Sequence, residues 1–161
     1  MFTSSHQLVV ASPAPRVSGA RRELFSSEGW RLLTGPERIW QIELDADGGG
    51  RDRSDLWSEI QRTLALLARA DCVRPLVIDM RGCPRLEQDA RWAMSTLISR
   101  YEEAGVRLAL ICEVDLVQVV RVQSLLGHCA PTLGRRVLSM GEAIAWVRSG
   151  PVVAAPVRPA A

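Results

Sequence analysis

Apolar and polar residues alternate along Trp40, Gln41, Ile42, Glu43 and Leu44. A period of two marks a strand with one buried face, here Arg38 to Asp45. The run Trp30–Thr34 precedes it, and Gly35, Pro36 and Glu37 between them are turn formers. Together they predict a β-hairpin. The period then lengthens to three and four at Leu56, Trp57, Ile60, Leu64 and Leu67, which predicts a helix over Ser54–Ala70 with Ser54 as its N-cap. Asp55 and Glu59 suit the positive end of that helix. Leu76–Met80 is short, aliphatic and bounded by Pro75 and Gly82, the signature of a strand buried on both faces.

A second helix is expected over Glu87–Ala104, with Ala90, Met94, Leu97 and Tyr101 inward and Gly105 as a left-handed cap. Val106–Cys112 reads as the next buried strand, Asp115–Leu126 as a third helix stopped by Gly127, and Arg136–Leu138 as a last strand. Ser139 and Glu142, three apart, form a capping box for a final helix with Ala143, Ile144 and Val147 inward. The order is β-β-α-β-α-β-α-β-α. It predicts an α/β fold: a mixed sheet that opens on an antiparallel hairpin, with helices mainly on one face. Residues 1–26, rich in Ser, Pro and Ala, read as a flexible leader. Residues 150–161, with three prolines, read as a disordered tail. The domain is expected over 27–149.

Several segments carry a family resemblance. Leu76-Val77-Ile78-Asp79-Met80-Arg81-Gly82-Cys83-Pro84 is an aliphatic strand, an acid and a Gly-x-Pro turn. Ala104-Gly105-Val106-Arg107-Leu108-Ala109-Leu110-Ile111 is a helix-ending glycine and a strand. Ser139-Met140-Gly141-Glu142-Ala143-Ile144-Ala145-Trp146-Val147 is a closing helix with a Glu-Ala pair. With the element order, these resemble the STAS domain of bacterial anti-sigma factor antagonists, over residues 30–148. The Ala-x-Trp ending is similar to a bacterial branch labelled STAS/SEC14-like. The resemblance implies a non-enzymatic regulatory module that acts by protein–protein contact. It also implies a partner such as a kinase-type anti-sigma factor or a larger signalling assembly. In the antagonists the loop after the central strand carries Asp-Ser-Ser-Gly, and its first Ser is phosphorylated. Here that stretch is Glu87-Gln88-Asp89-Ala90, and an amide at Gln88 takes no phosphoryl group. Glu87 and Asp89 place fixed negative charge there instead.

Composition narrows the chemistry. Lys+Arg 20 against Asp+Glu 18 leaves a net charge of +2, spread without a basic stripe, so nucleic acid is not an expected partner. Every basic residue is Arg, which excludes mechanisms that need a lysine amine. The four cysteines, Cys72, Cys83, Cys112 and Cys129, form no C-x-x-C, and His6 and His128 lie at no zinc spacing from them. No metal and no cofactor are expected. Gly48-Gly49-Gly50 lacks the frame of a phosphate loop. There is no apolar stretch of membrane-span length and no secretory leader, which points to the cytoplasm.

The candidate partner-binding residues are Asp79, Gly82, Glu87, Gln88, Asp89, Arg91 and Trp92. Asp79 ends the central strand, where ligands of open α/β sheets gather. Its plainer role is to cap the following turn. Arg91 and Trp92 are residue types that binding surfaces favour. Cys112 with His128 would be the one candidate catalytic pair, and nothing in the sequence brings them together. The third helix carries aliphatics on more than one face: Leu116, Val117, Val119, Val120, Val122, Leu125 and Leu126. Such a helix is deeply buried, or it presents a patch to a partner or a lipid. A second reading therefore stays open: a small-molecule or lipid-binding domain with its site beside Val119 and Leu126. A homo-oligomer also stays open.

Overall fold

The computed structural model describes residues 21–45, 52–70, 72–81 and 88–150. A six-stranded sheet runs in sequence order: β1 (Arg22–Ser27), β2 (Trp30–Thr34), β3 (Trp40–Leu44), β4 (Leu76–Asp79), β5 (Leu108–Ile111) and β6 (Gly134–Val137). The first two pairings are antiparallel and the last three parallel. Four α-helices accompany them among the described residues: α1 (Arg53–Ala70), α2 (Gln88–Ala104), α3 (Leu116–Cys129) and α4 (Met140–Arg148). The α/β class, the mixed sheet and the opening antiparallel hairpin are as the sequence predicts.

Side-chain alternation sorts the core into two layers. Trp30, Leu32, Trp40, Ile42, Leu76, Ile78, Leu108 and Leu110 point to one face, where they pack under Leu56, Trp57, Ile60, Met94, Ile98 and Val122 of α1, α2 and α3. Val77, Ala109, Ile111 and Val137 point to the other, against Ala143 and Val147 of α4. Three crossovers of one hand place α1, α2 and α3 on a single face. The fourth helix follows the last strand and covers the opposite face of β4, β5 and β6.

The first strand departs from expectation. All of Arg22–Ser27 but its last residue falls in the stretch read as a leader, yet it pairs with β2 from Arg22 opposite Thr34 to Ser27 opposite Trp30. The order is therefore β-β-β-α-β-α-β-α-β-α, and the domain starts by residue 22. A register shift between Glu23 and Phe25 breaks the alternation that would have shown the strand in the sequence.

Helix ends follow local chemistry. At α2, Gly105 takes φ 70°; its N–H donates to the Glu102 carbonyl (3.1 Å) and that of Val106 to the Tyr101 carbonyl (3.1 Å), a Schellman cap as expected. At α4, Ser139 Oγ accepts from the Glu142 N–H (3.2 Å), while Glu142 reaches back to the Leu138 N–H (3.0 Å). Two ends were misplaced. Helix α1 begins at Arg53, one residue before the expected cap, with the Asp52 carbonyl accepting from the Leu56 N–H (3.1 Å). Helix α3 runs through Gly127 to Cys129. A glycine costs a helix about 1 kcal/mol, and the continued turn buries Leu126 and Ala130.

Gly134 explains how closely α3 meets β6. A Cβ there would lie 2.8 Å from Leu126 Cδ2, 2.9 Å from Ala130 Cβ and 2.9 Å from the Ala130 carbonyl oxygen. Two of these atoms belong to the backbone or stand next to it and have no rotamer to escape into. We expect Gly134→Ala to destabilise the protein by about 1–3 kcal/mol, as overpacking does, read as a lower urea midpoint at unchanged slope.

Candidate functional site

Asp79 stands at the carboxyl end of β4, and Gln88, Arg91 and Trp92 follow in the first turns of α2. Glu43 of β3 and Asp79 of β4 stand in register there, and Asp79 is opposite Ile111 of β5. Two carboxylates side by side could do acid–base work if one were held protonated. Here each has its own arginine. Arg31 lies 2.6 Å from Glu43, with Arg21 at 3.6 Å. Arg81 grips Asp79 with two side-chain bonds, Nε to Oδ1 at 2.9 Å and a terminal nitrogen to Oδ2 at 2.6 Å. The Arg81 backbone N–H also donates to Asp79 Oδ1 (3.1 Å). Partial burial pushes the Asp79 carboxyl upward. The hydrogen bonds and charge of Arg81 outweigh it and hold the group below the usual carboxylate range. Asp79 therefore closes a turn and holds a fork–fork ion pair.

Beyond this turn, Gly82 and Glu87 lie outside the described residues, as do the Asp89 side chain and the glycines 48–50. Gln88 and Arg91 are exposed in the first turns of α2. Trp92 is 77% exposed, in contrast to Trp30, Trp40 and Trp57, which are buried. Its carbonyl accepts from Ser95 Oγ (2.7 Å) and Thr96 Oγ1 (3.2 Å). Beside it, α3 turns Gln118, Val122 and Leu126 inward. The helix starts at Asp115, whose carboxylate accepts from the Val117 N–H at 2.8 Å and the Gln118 N–H at 3.3 Å. That cap fixes the rotation of the helix. It leaves Leu116 (78% exposed), Val117 and Val120 facing outward, next to the exposed Val114.

The two helices thus share an open groove of about 470 Å³. Gln88, Arg91, Trp92 and Ser95 line one side, and Val120, Arg121, Ser124 and Leu125 the other. Of the surplus aliphatics of α3, Leu116, Val117 and Val120 face outward, Val122 and Leu126 face the core, and Val119 and Leu125 are half-buried.

No family model, curated protein or solved structure matches the chain.

The candidate thiol chemistry does not assemble. Cys112 is buried at the end of β5, before α3. His128 is exposed in the last turn of α3, its Nδ1 2.7 Å from the Ser124 carbonyl oxygen. The 14 residues of α3 separate them by roughly 20 Å at 1.5 Å per residue. No helix among the described residues is long and apolar enough to cross a membrane.

The Asp79–Arg81 pair yields a pH prediction. A carboxyl held below its unfolded value of about 3.9 adds stability above that pH. The contribution is lost as pH falls through the lower folded value. Arg81 is half exposed, so the pair is screened, and about 0.5–1 kcal/mol is expected. Asp79→Asn should be less stable than the native chain by that amount at pH 7. The difference should shrink below pH ~4, as measured by urea unfolding at each pH.

Proposed function

We propose that this chain is a non-enzymatic regulatory module of STAS type, acting in the cytoplasm by protein–protein contact. It would operate without the phosphoacceptor serine of the antagonists. The observation that carries the reading is the exposure of Trp92 across the groove from Val120, with Leu116 and Val117 exposed in the preceding turn of α3. An indole left in water forgoes a large hydrophobic gain. Scattered apolar residues on a surface need no explanation, but a contiguous patch rimmed by polar groups is what contact surfaces have in common. Arg91 and Arg121 supply such a rim. Trp and Arg are also the types that dominate binding energy at interface centres.

The resemblance adds position and partner class. In the antagonists the switch segment precedes the second helix. Here Gln88 occupies the acceptor position at the edge of the groove. A kinase-type anti-sigma factor or a larger signalling assembly is the partner class that this implies. Contact would then be constitutive at this position and set by the amount of either protein. The ligand-binding reading beside α3 draws less support, since the outward aliphatics of that helix lie on an open surface.

Trp92→Ala and Val120→Asp test the reading. Both positions are exposed, so stability should stay within about 0.5 kcal/mol of the native chain. The tagged native chain, captured from the organism that makes it, should retain a stoichiometric protein partner. Each variant should lose it, with affinity falling by about tenfold or more, as at a contact centre. Equal retention by both variants, or purification of the native chain alone, would refute the proposal. Self-association abolished by the same variants would identify the partner as a second copy.

A further inference from the structure

A second opening lies at the other end of the sheet, away from the contact surface, between the carboxyl-terminal halves of α1 and α2. It holds about 320 Å³, at the low end of the roughly 300–1,000 Å³ of small-molecule sites. Its origin is legible in the chain. Along α1, Gln61, Ala65 and Ala68 repeat at four and three, and at Ala65 and Ala68 this stripe offers α2 only methyl groups. The helices touch through the larger side chains of the core and leave a gap over the two alanines. Trp40 and Leu97 give the gap apolar walls.

Polar groups stand at this apolar space, the Gln61 amide and the exposed Arg69 and Arg100 among them. Tyr101 lines it, is 4% exposed, and its hydroxyl is buried with no hydrogen-bond partner among the described residues. The same burial removes the hydroxyl from water, so the cleft meets the Tyr101 ring and not its hydroxyl. Arg69 and Arg100 line the same cleft, and neither makes an ion pair among the described residues. Arg69 stands in the last turn of α1, where the helix carbonyls favour a cation.

We infer that this cleft binds a small carboxylic acid with an apolar body, its carboxylate taken by Arg69 and Arg100 and its body laid over Trp40, Leu97 and the Tyr101 ring. The guanidinium fork matches a carboxylate in two parallel bonds. The apolar walls and the modest volume favour a short chain or a single ring over a nucleotide or an intact lipid. The inference is independent of the contact surface, which lies at the opposite end of α2.

Octanoate is the probe, with octanol as the uncharged control of equal chain length, titrated into the full chain by calorimetry and by amide NMR. Octanoate should bind saturably at one site per chain, with shifts centred on Ala65, Ala68 and Tyr101. Octanol should bind at least about tenfold more weakly, the loss of a charge-assisted bond. Tyr101→Phe, which keeps the ring in place, should leave octanoate binding unchanged. Arg100→Gln should weaken octanoate without changing octanol. Ala68→Leu should fill the cleft and abolish binding, while Trp92→Ala should leave it unchanged. Absence of saturable binding at millimolar octanoate would overturn the proposal. Octanol equal to octanoate would overturn it too, as would full affinity in Arg100→Gln, a surface change that does not threaten the fold.

Discussion

Burial of β4 and β5 on both faces is the constraint from which the architecture follows. Leu76, Val77 and Ile78 have no solvent exposure, nor has any residue of Leu108–Ile111. Each large aliphatic side chain placed there contributes about 1.5–3 kcal/mol relative to exposure. That gain requires cover above and below. Right-handed crossovers deliver α1, α2 and α3 to one side only. The other side of these strands is left to α4, which follows β6. The short closing helix is thus the second wall of the core. Its seating is fixed by the Ser139 cap and by Trp146, whose indole N–H donates to the Leu108 carbonyl (3.2 Å) under the guanidinium of Arg107, 4.0 Å above the ring.

The antiparallel half of the sheet obeys a different rule. Strands β1, β2 and β3 are covered on the α1–α3 face; on the other, Leu33 and Gln41 are buried while Arg31 and Glu43 reach water. Arg31 stands opposite Glu43 in the β2–β3 register, and the two pair directly. An antiparallel sheet tolerates a wet face, and a parallel one rarely does. Beyond the β3–β4 pairing, a surface contact joins the halves: Glu37, held at φ 65° in the β2–β3 turn, meets Arg148 at the end of α4 at 2.7 Å.

The sequence was legible where one physical rule acted alone. Trp40 and Ile42 alternate because β3 has one apolar face. Gly105 ends α2 because the next residue must enter from a left-handed conformation. It failed where two rules compete. In β1, side chains are mostly exposed and a register shift removes the period, so backbone pairing at an edge was the only signal. At Gly127 the propensity to stop was outweighed by burial one turn on. For the candidate site, the surplus aliphatics of α3 and the pair Arg91–Trp92 were visible in sequence. Whether they faced in or out was not, because that depends on the rotation fixed by the Asp115 cap. The Arg81 grip on Asp79 left no periodic trace, and Tyr101 read simply as core.

Helix α2 joins these observations. Met94 and Ile98 lock it to the sheet without solvent exposure. Trp92 stands toward one end and Tyr101 toward the other, roughly 13 Å apart along the axis at 1.5 Å per residue. A core-facing stripe cannot shift at one end alone without opening voids or clashes along its length, since interiors are packed as densely as molecular crystals. Any displacement of α2 that widened or closed the gap over Ala65 and Ala68 would also move Trp92 against Val120. Energetic coupling between two sites needs a shared element with more than one arrangement. Of the four helices, α2 is the one that lines both the groove and the cleft. Its two ends differ in chemistry. The amino-terminal end offers an indole and a guanidinium to a surface. The carboxyl-terminal end offers an aromatic ring and a guanidinium to an apolar cleft. That division follows from the alanines of α1 at one end and the outward valines of α3 at the other.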